Sequence, residues 1–444
     1  MLVLTACVGP EPVPTPPVSP TPTFTVPRPS ATLRSNWTTD QYSLGSHSFV
    51  TVGSTPQFRE DLRQPIMGRV FFAGEATSTD LPGSVLGAQS SGARAAGELS
   101  DAAQKGDRIA IIGAGAAGAE AARLLALQGL DVIVIEARGR VGGRIDTREI
   151  KSWPLPVELG AWRLDKTVDA VLLSKLASLG IESNAVGGSL LQGTGVTATA
   201  NTVGPKAVET AVTWAGAQTK DVSLEAAIKG SGAATGASDA DGFDGEDLVA
   251  QYLASLATVT GASSSKLSGW YGLDSVPQYD RLVTGTFSTM IADSLEGVTT
   301  SLSTAVVGIS YSDSGVSLQL GTGESLNVAR VLVTVPLGVL QKGSIRFDPM
   351  LPFSHRTAIA SLGMGSVETV WLRFDKPFWT TDAAIWSLVG TDDDISTWFN
   401  MHAVTGENVL VGLAGGDAAV RVSKLNDADL LSSALRALEP FAGN

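Results

Sequence analysis

The chain runs to 444 residues, too long for one compact core, so two domains are expected. Its 43% hydrophobic and 17% charged residues are a globular composition rather than a disordered one. A formal net charge of −13 without a basic run argues against nucleic acid as a partner, one cysteine rules out an intrachain disulfide framework, and three scattered histidines (His47, His355, His402) make a metal site unexpected.

The chain opens with Leu4-Thr5-Ala6-Cys7, which resembles the lipidation signal of bacterial lipoproteins. That reading implies export and a lipid anchor on Cys7 at the cell surface. The stretch before Cys7 is short for a signal and lacks its cationic start, and the other reading is a cytoplasmic protein. Nine of the 21 prolines lie between Pro10 and Pro29, a composition that predicts a polyproline II tether. No run of about 18 apolar residues suggests a membrane-spanning helix.

Residues 31–50 mix β-formers with turn residues and predict a strand, a loop and a short strand. Residues 68–73 predict a short buried strand. From Ser90 an alanine-rich stretch predicts a helix that Lys105-Gly106-Asp107 ends. Arg108 to Ile112 is then an apolar strand leading into Gly113-Ala-Gly115-Ala-Ala117-Gly118 and an Ala/Leu helix. Gly113 permits the tight turn, Gly115 lets backbone approach a pyrophosphate, and Gly118 lets helix and strand pack closely. The helix N-terminus offers free N–H groups to the phosphates. Glu136 closes the next strand, Val132 to Ile135, where its carboxylate can accept the hydroxyls of an adenosine ribose. Ala137, Arg138, Gly142, Gly143 and Arg144 follow. This second glycine pair flanked by arginines is the pattern of proteins that bind FAD rather than NAD, with the arginines forking onto ribose or phosphate oxygens.

Further along, residues 167–179 predict a helix. Residues 185–245, poor in large apolar side chains, read as loops or poorly ordered helix. Residues 246–257 predict a helix, and strand signals return at 316–320, 330–335, 367–374 and 409–413 before a closing helix over 428–438.

Together these segments resemble the flavin-containing amine oxidases, monoamine and polyamine oxidases included. The resemblance implies an α/β fold: a Rossmann-like FAD-binding domain with the G-x-G-x-x-G cradle, and an α+β substrate-binding domain. The order of the parts departs from that family. Residues 68–97 resemble a segment that normally lies near the C-terminus, so the chain reads as a circular permutation. The expected organisation is a lead-in and tether over 1–30, a permuted C-terminal segment over 31–105, the FAD-binding βαβ unit over 106–165, substrate-domain parts over 166–281 and 346–444, and FAD-domain strands over 282–345. By the same resemblance, Gly160, Ala161, Trp162 and Arg163 contact FAD, Glu75 binds its ribityl chain, Ser84 and Val85 face the pyrimidine side of the flavin, and the main chain of Val306 meets adenine.

The implied activity is oxidation of an amine to an imine, which hydrolyses to an aldehyde or ketone plus ammonia or a smaller amine. Dioxygen then reoxidises the flavin and yields hydrogen peroxide. Thr369 falls where the family carries a lysine that holds a water beside the flavin, and this favours dehydrogenase behaviour with another acceptor as an alternative. His47 replaces a frequent tyrosine at the substrate site, and Trp37 matches a tryptophan near the flavin. Two other readings fit the same residues: a non-amine substrate on the same fold, and an inactive remnant of two fused genes.

Overall fold

The computed structural model describes residues 24–442, so Cys7 and most of the proline-rich lead-in lie outside the described residues. A five-stranded parallel sheet runs in the order Thr299–Ser301, Asp131–Ile135, Arg108–Ile112, Arg330–Val333, Val70–Phe72. The three inner strands are near-continuous apolar runs because both faces of a parallel sheet are covered. Ile109, Ile111 and Leu332 turn to one face, under the helices Val85–Ala102 and Ala116–Leu127. Ala110, Ile112, Val331 and Val333 turn to the other, against an antiparallel layer that contributes Ile309 and Leu318.

The second sheet has seven strands in the order Ala31–Arg34, Val367–Arg373, Val409–Gly415, Thr397–Asn400, Ile385–Leu388, Ser189–Gly193, Val196–Ala198. Trp386, Trp398 and Leu410 of this sheet pack on Leu430, Ala434 and Leu438 of the closing helix, Asp427–Leu438. Residues 31–105 therefore form no separate unit. They give an edge strand to each sheet, and their helix Val85–Ala102 lies against Ala116–Leu127.

Two local expectations change. The helix expected from Ser90 begins at Val85, because Ser84 caps it by accepting from the Gly87 N–H at 2.9 Å. Residues 185–245, read as loops or poorly ordered helix, hold the strands Ser189–Gly193 and Val196–Ala198 and the helices Val203–Gly216 and Leu224–Ser231. Their buried faces are built mostly of small side chains: Ala207, Val208, Ala211, Ala215 and Ala227, with Leu224 and Ile228, pack on Val249 and Leu256 of the helix Gly245–Thr260. At the far end of the molecule, Thr25 and Val26 donate their N–H groups to Glu439 at 2.7 and 3.1 Å, so the two ends of the described chain adjoin.

Candidate cofactor and substrate site

A single cavity of about 1120 Å³ runs between the two sheets. That exceeds the roughly 300–1,000 Å³ usual for one small ligand and leaves room for a dinucleotide with a substrate. At one end lies the glycine cradle. Gly113 holds φ +111°, and a Cβ there would sit 2.6 Å from the Thr334 hydroxyl. A Cβ on Gly118 would sit 2.0 Å from the Gly113 carbonyl oxygen, so only glycine lets this helix approach its strand. The helix Ala116–Leu127 starts at Gly115 with no side-chain cap, leaving its first N–H groups to the cavity. Gly142 folds onto this turn, its N–H donating to the Ala114 carbonyl at 2.8 Å.

Glu136 is buried at the end of its strand and accepts from the N–H groups of Ala114 and Arg138, both at 2.8 Å. Each carboxylate oxygen keeps a lone pair for a ribose hydroxyl. Ala117 and Ala137 line the cavity beside it, as does Val306 at the start of the strand Val306–Ser312. Arg138 crosses to the N-terminal segment, where it pairs with Asp40, donates to Ser43 Oγ at 2.9 Å and stacks over Tyr42.

Glu75 is the electrostatic centre of the cavity. It accepts from Ser48 N–H and Oγ, from Gly83 N–H at 3.0 Å and from Arg144 Nη1 at 2.9 Å. Burial alone would raise its pKa, but the guanidinium groups of Arg144 and Arg59 and the Ser48 hydroxyl pull it down to about 2. Arg144 also donates to the Ser46 carbonyl at 2.8 Å, tying the βαβ unit to residues 46–75. The sequence reading missed Arg59, which is buried and donates to Ser48 Oγ at 2.7 Å and Ala76 O at 3.1 Å. No motif surrounds it in the helix Gln57–Arg63, and only the fold brings it under Glu75.

Ser84 and Val85 put the N-terminus of their helix on the cavity. Across from them run Gly160, Ala161, Trp162 and Arg163. A Cβ on Gly160 would lie 2.0 Å from the Arg144 carbonyl oxygen, and Trp37 packs against this segment, its Nε1 donating to Leu159 O at 2.8 Å. The Trp162 ring turns into the core, 5.4 Å from Trp371 and 5.1 Å from Phe399 between ring centroids. His47 lines the same end, and burial pushes its imidazole pKa down against the pull of Glu75, which keeps the ring neutral at pH 7.

Thr369 stands on the strand Val367–Arg373 with its side chain on the cavity wall and its Oγ1 without a partner. Its neighbour Glu368 faces the other way and accepts from Ser35, Trp37 and Thr38, fastening the N-terminal segment to this strand. The reading also missed Tyr271, Asp274 and Tyr279, which line the cavity from a stretch without motif or periodicity. Among the described residues no group of three His, Cys, Asp or Glu could hold a metal ion, and no helix is long and apolar enough to cross a membrane.

The family model described as flavin containing amine oxidoreductase matches residues 17–100 and 116–444. Polyamine oxidase 4 of Oryza sativa subsp. japonica is 27% identical over 370 residues, which cover 75% of this chain and 73% of that protein. Lysine-specific histone demethylase 2 of Homo sapiens is 28% identical over 362 residues, 74% of this chain and 43% of that one. Among solved structures, cyclohexylamine oxidase from Brevibacterium oxydans superposes with a TM-score of 0.61 at 19% identity, covering 76% of this chain and 82% of the other. Putrescine oxidase bound to putrescine gives 0.58 at 20% identity over the same shares.

Proposed function

The chain belongs to the flavin-containing amine oxidoreductases, FAD enzymes that act on amine donors, and from that premise we propose that it oxidises a small amine to an imine, which water splits into an aldehyde or ketone and ammonia or a smaller amine. Dioxygen is the proposed final acceptor, giving hydrogen peroxide. The observation that carries this reading is the continuity of one cavity from the glycine cradle to the wall formed by His47 and Thr369.

The residues present suit FAD. Gly113, Gly115 and Gly118 leave room for the pyrophosphate, Glu136 for the adenosine ribose and Glu75 for the ribityl chain, with Ser84, Val85, Gly160 and Ala161 along the ring. FAD bound there supplies a two-electron acceptor for the carbon–nitrogen bond. The chain contributes positioning and exclusion of water. Neutral His47 offers the reacting amine a hydrogen-bond partner without competing for charge. Anaerobic addition of an amine panel to the FAD-loaded protein tests the reaction class: bleaching of the flavin absorption is expected, and a flavin that stays oxidised with every amine overturns it.

A second reading has a specific observation in its favour. Thr369 brings no positive charge to the wall where reduced dioxygen needs one, which favours a dehydrogenase that passes electrons to another acceptor. Reoxidation of the reduced protein by air-saturated buffer against a quinone separates the two.

We also propose that the chain order is a circular permutation. The edge strand Val70–Phe72, the helix Val85–Ala102 with only five residues between it and the strand Arg108–Ile112, and the adjoining ends at Thr25 and Glu439 support it. Export with a lipid on Cys7 is a further proposal, tested by metabolic labelling of the full chain with a fatty-acid probe against Cys7→Ala.

A further inference from the structure

Arg59 is a buried guanidinium, 2% exposed, that forms no ion pair among the described residues. It lies in the helix Gln57–Arg63, whose other charged side chains stay nearer solvent, where Arg63 pairs with Glu60. Taking an unpaired charge out of water is costly, so its surroundings must offset the loss. Both of its hydrogen bonds leave from one nitrogen, Nη1, to Ser48 Oγ at 2.7 Å and to the Ala76 carbonyl at 3.1 Å. Burial pulls the guanidinium pKa down, and the charge that opposes this pull is Glu75.

A serine hydroxyl has one hydrogen to give. Arg59 donates into a lone pair of Ser48 Oγ, so that hydrogen points away from the guanidinium, and Glu75 Oε2 receives it at 2.6 Å. The second Arg59 bond holds Ala76, the residue after Glu75, in the short helical turn Glu75–Thr77. Arg59 therefore sets both the donor that meets Glu75 and the backbone that carries it. Arg144 Nη1 and the Gly83 N–H approach the same carboxylate from two other segments, at 2.9 and 3.0 Å. Two guanidinium groups thus act on one carboxylate, and His47 beside it is kept neutral by burial.

We propose that Arg59 is a positioning residue for the cofactor: through the Ser48 hydroxyl it aims Glu75 at the ribityl hydroxyls of FAD and keeps it an ionised acceptor in mild acid as well as at neutrality. This rests on the reading that gives Glu75 to the ribityl chain. With Arg59 in place, burial is outweighed and the Glu75 pKa is pulled down to about 2. With Arg144 left alone against burial, a proton competes with FAD for Glu75 in the range where carboxylates ordinarily titrate. Affinity for FAD then falls as pH falls, by up to about tenfold per pH unit below the new pKa, and levels off above it.

The test is the FAD dissociation constant of the full chain between pH 5 and pH 8, read from quenching of flavin fluorescence. The parent is expected to hold one value across that range to within about threefold. Arg59→Met should bind FAD at least about tenfold more weakly at pH 5 than at pH 8, and Arg59→Lys, which keeps the charge, should flatten the profile again. Melting temperatures show whether the variants fold. If Arg59→Met does not, Ser48→Ala breaks the same relay with Arg59 in place and is expected to slope the same way, less steeply. Parallel profiles for the parent and Arg59→Met, however much weaker the variant, overturn the proposal, as does a parent whose own affinity falls toward pH 5. Glu75→Gln separates the two assignments. Parent-like FAD binding by Glu75→Gln removes Glu75 from the ribityl chain, and Arg59 with it. Weakened binding by Glu75→Gln, with parallel profiles for Arg59→Met, leaves Glu75 in place and removes the role of Arg59 alone.

Discussion

Thr369 puts an uncharged side chain, its Oγ1 buried without a protein partner, in the wall of the cavity at the position where the family resemblance implies a lysine. Reduction of dioxygen passes through anionic character that a fixed cation stabilises. Thr369→Lys is therefore expected to speed reoxidation of the amine-reduced protein by dioxygen about tenfold or more, with anaerobic reduction changing less. Stopped-flow absorption measures both steps, and an unchanged reoxidation rate removes the role given to Thr369. Glu158 makes a different kind of prediction. It is wholly buried, accepts from Thr147 Oγ1 at 2.7 Å and Phe287 N–H at 2.9 Å, and leaves Oε2 unpartnered. Burial pushes its pKa up to about 8 despite those two donors. Its folded-state pKa lies above the unfolded value, so its contribution to stability is complete below about pH 4.5 and is lost as pH rises toward 8, at up to about 1.4 kcal/mol per pH unit. Glu158→Gln mimics the protonated acid. Its melting temperature should match the parent near pH 5 and exceed it at pH 8; the same gap at both values would refute a proton on Glu158. The contrast with Glu75 shows what a sequence carries at this scale. The family resemblance points to Glu75 as a ligand group, whereas its low pKa needs, beside Arg144, also Arg59, a residue 16 positions away with no motif around it.

Elements of the cofactor cradle were legible because the constraint is steric and local: each glycine removes a Cβ from a stated place. Gly118→Ala puts a methyl 2.0 Å from the Gly113 carbonyl oxygen, which the helix Ala116–Leu127 can relieve only by moving off its strand. A loss of about 1–3 kcal/mol is expected, with FAD affinity falling along with it. Gly97 is the internal control. It lies exposed in the helix Val85–Ala102 with open space where its Cβ would go, so Gly97→Ala should gain about 0.5–1 kcal/mol and leave FAD binding alone. Chemical denaturation and flavin absorbance of the two variants check the pair, and equal behaviour would mean the cradle does not depend on that close approach. The elements within 185–245 were illegible for the opposite reason. The helix Val203–Gly216 buries only glycine, alanine and valine, and the short helix Leu224–Ser231 adds just Leu224 and Ile228 to one buried alanine, so hydrophobic periodicity has little amplitude to detect. Their packing partner, the helix Gly245–Thr260, carries a capping Asp244 and larger apolar residues, and its core was readable.

At the largest scale, the order of the parts reads as a permutation because each half of the proposed cofactor site carries its own motif. What the sequence did not reveal was how the chain ends meet. The N–H groups of Thr25 and Val26 bond to Glu439, while Val26 packs in the cluster of Leu435, Leu438 and Phe441. Residues 31–105 deliver a strand to each sheet, so they cannot be removed without opening both cores. These contacts depend on proximity and not on where the peptide bond between the halves is placed. A chain that starts at Asp107, runs to Ala442, crosses a short glycine-rich linker to Phe24 and ends at Lys105 should therefore fold and load FAD to about one per chain. The linker has only the gap beside Glu439 to span, and the broken join, Lys105 to Asp107, is a turn at the end of the helix Val85–Ala102 whose Gly106 side is open. The interactions at risk are the pairing of Asp107 with Arg330, its bond from the Gln104 N–H and its own N–H bond to the Gln104 carbonyl, so a modest loss of melting temperature is expected. Flavin content and the amine-dependent bleaching of the reordered chain are the measurements. A colourless, unfolded product would mean that the present order is needed for folding, and that the two halves do not stand in the exchangeable relation a permutation requires.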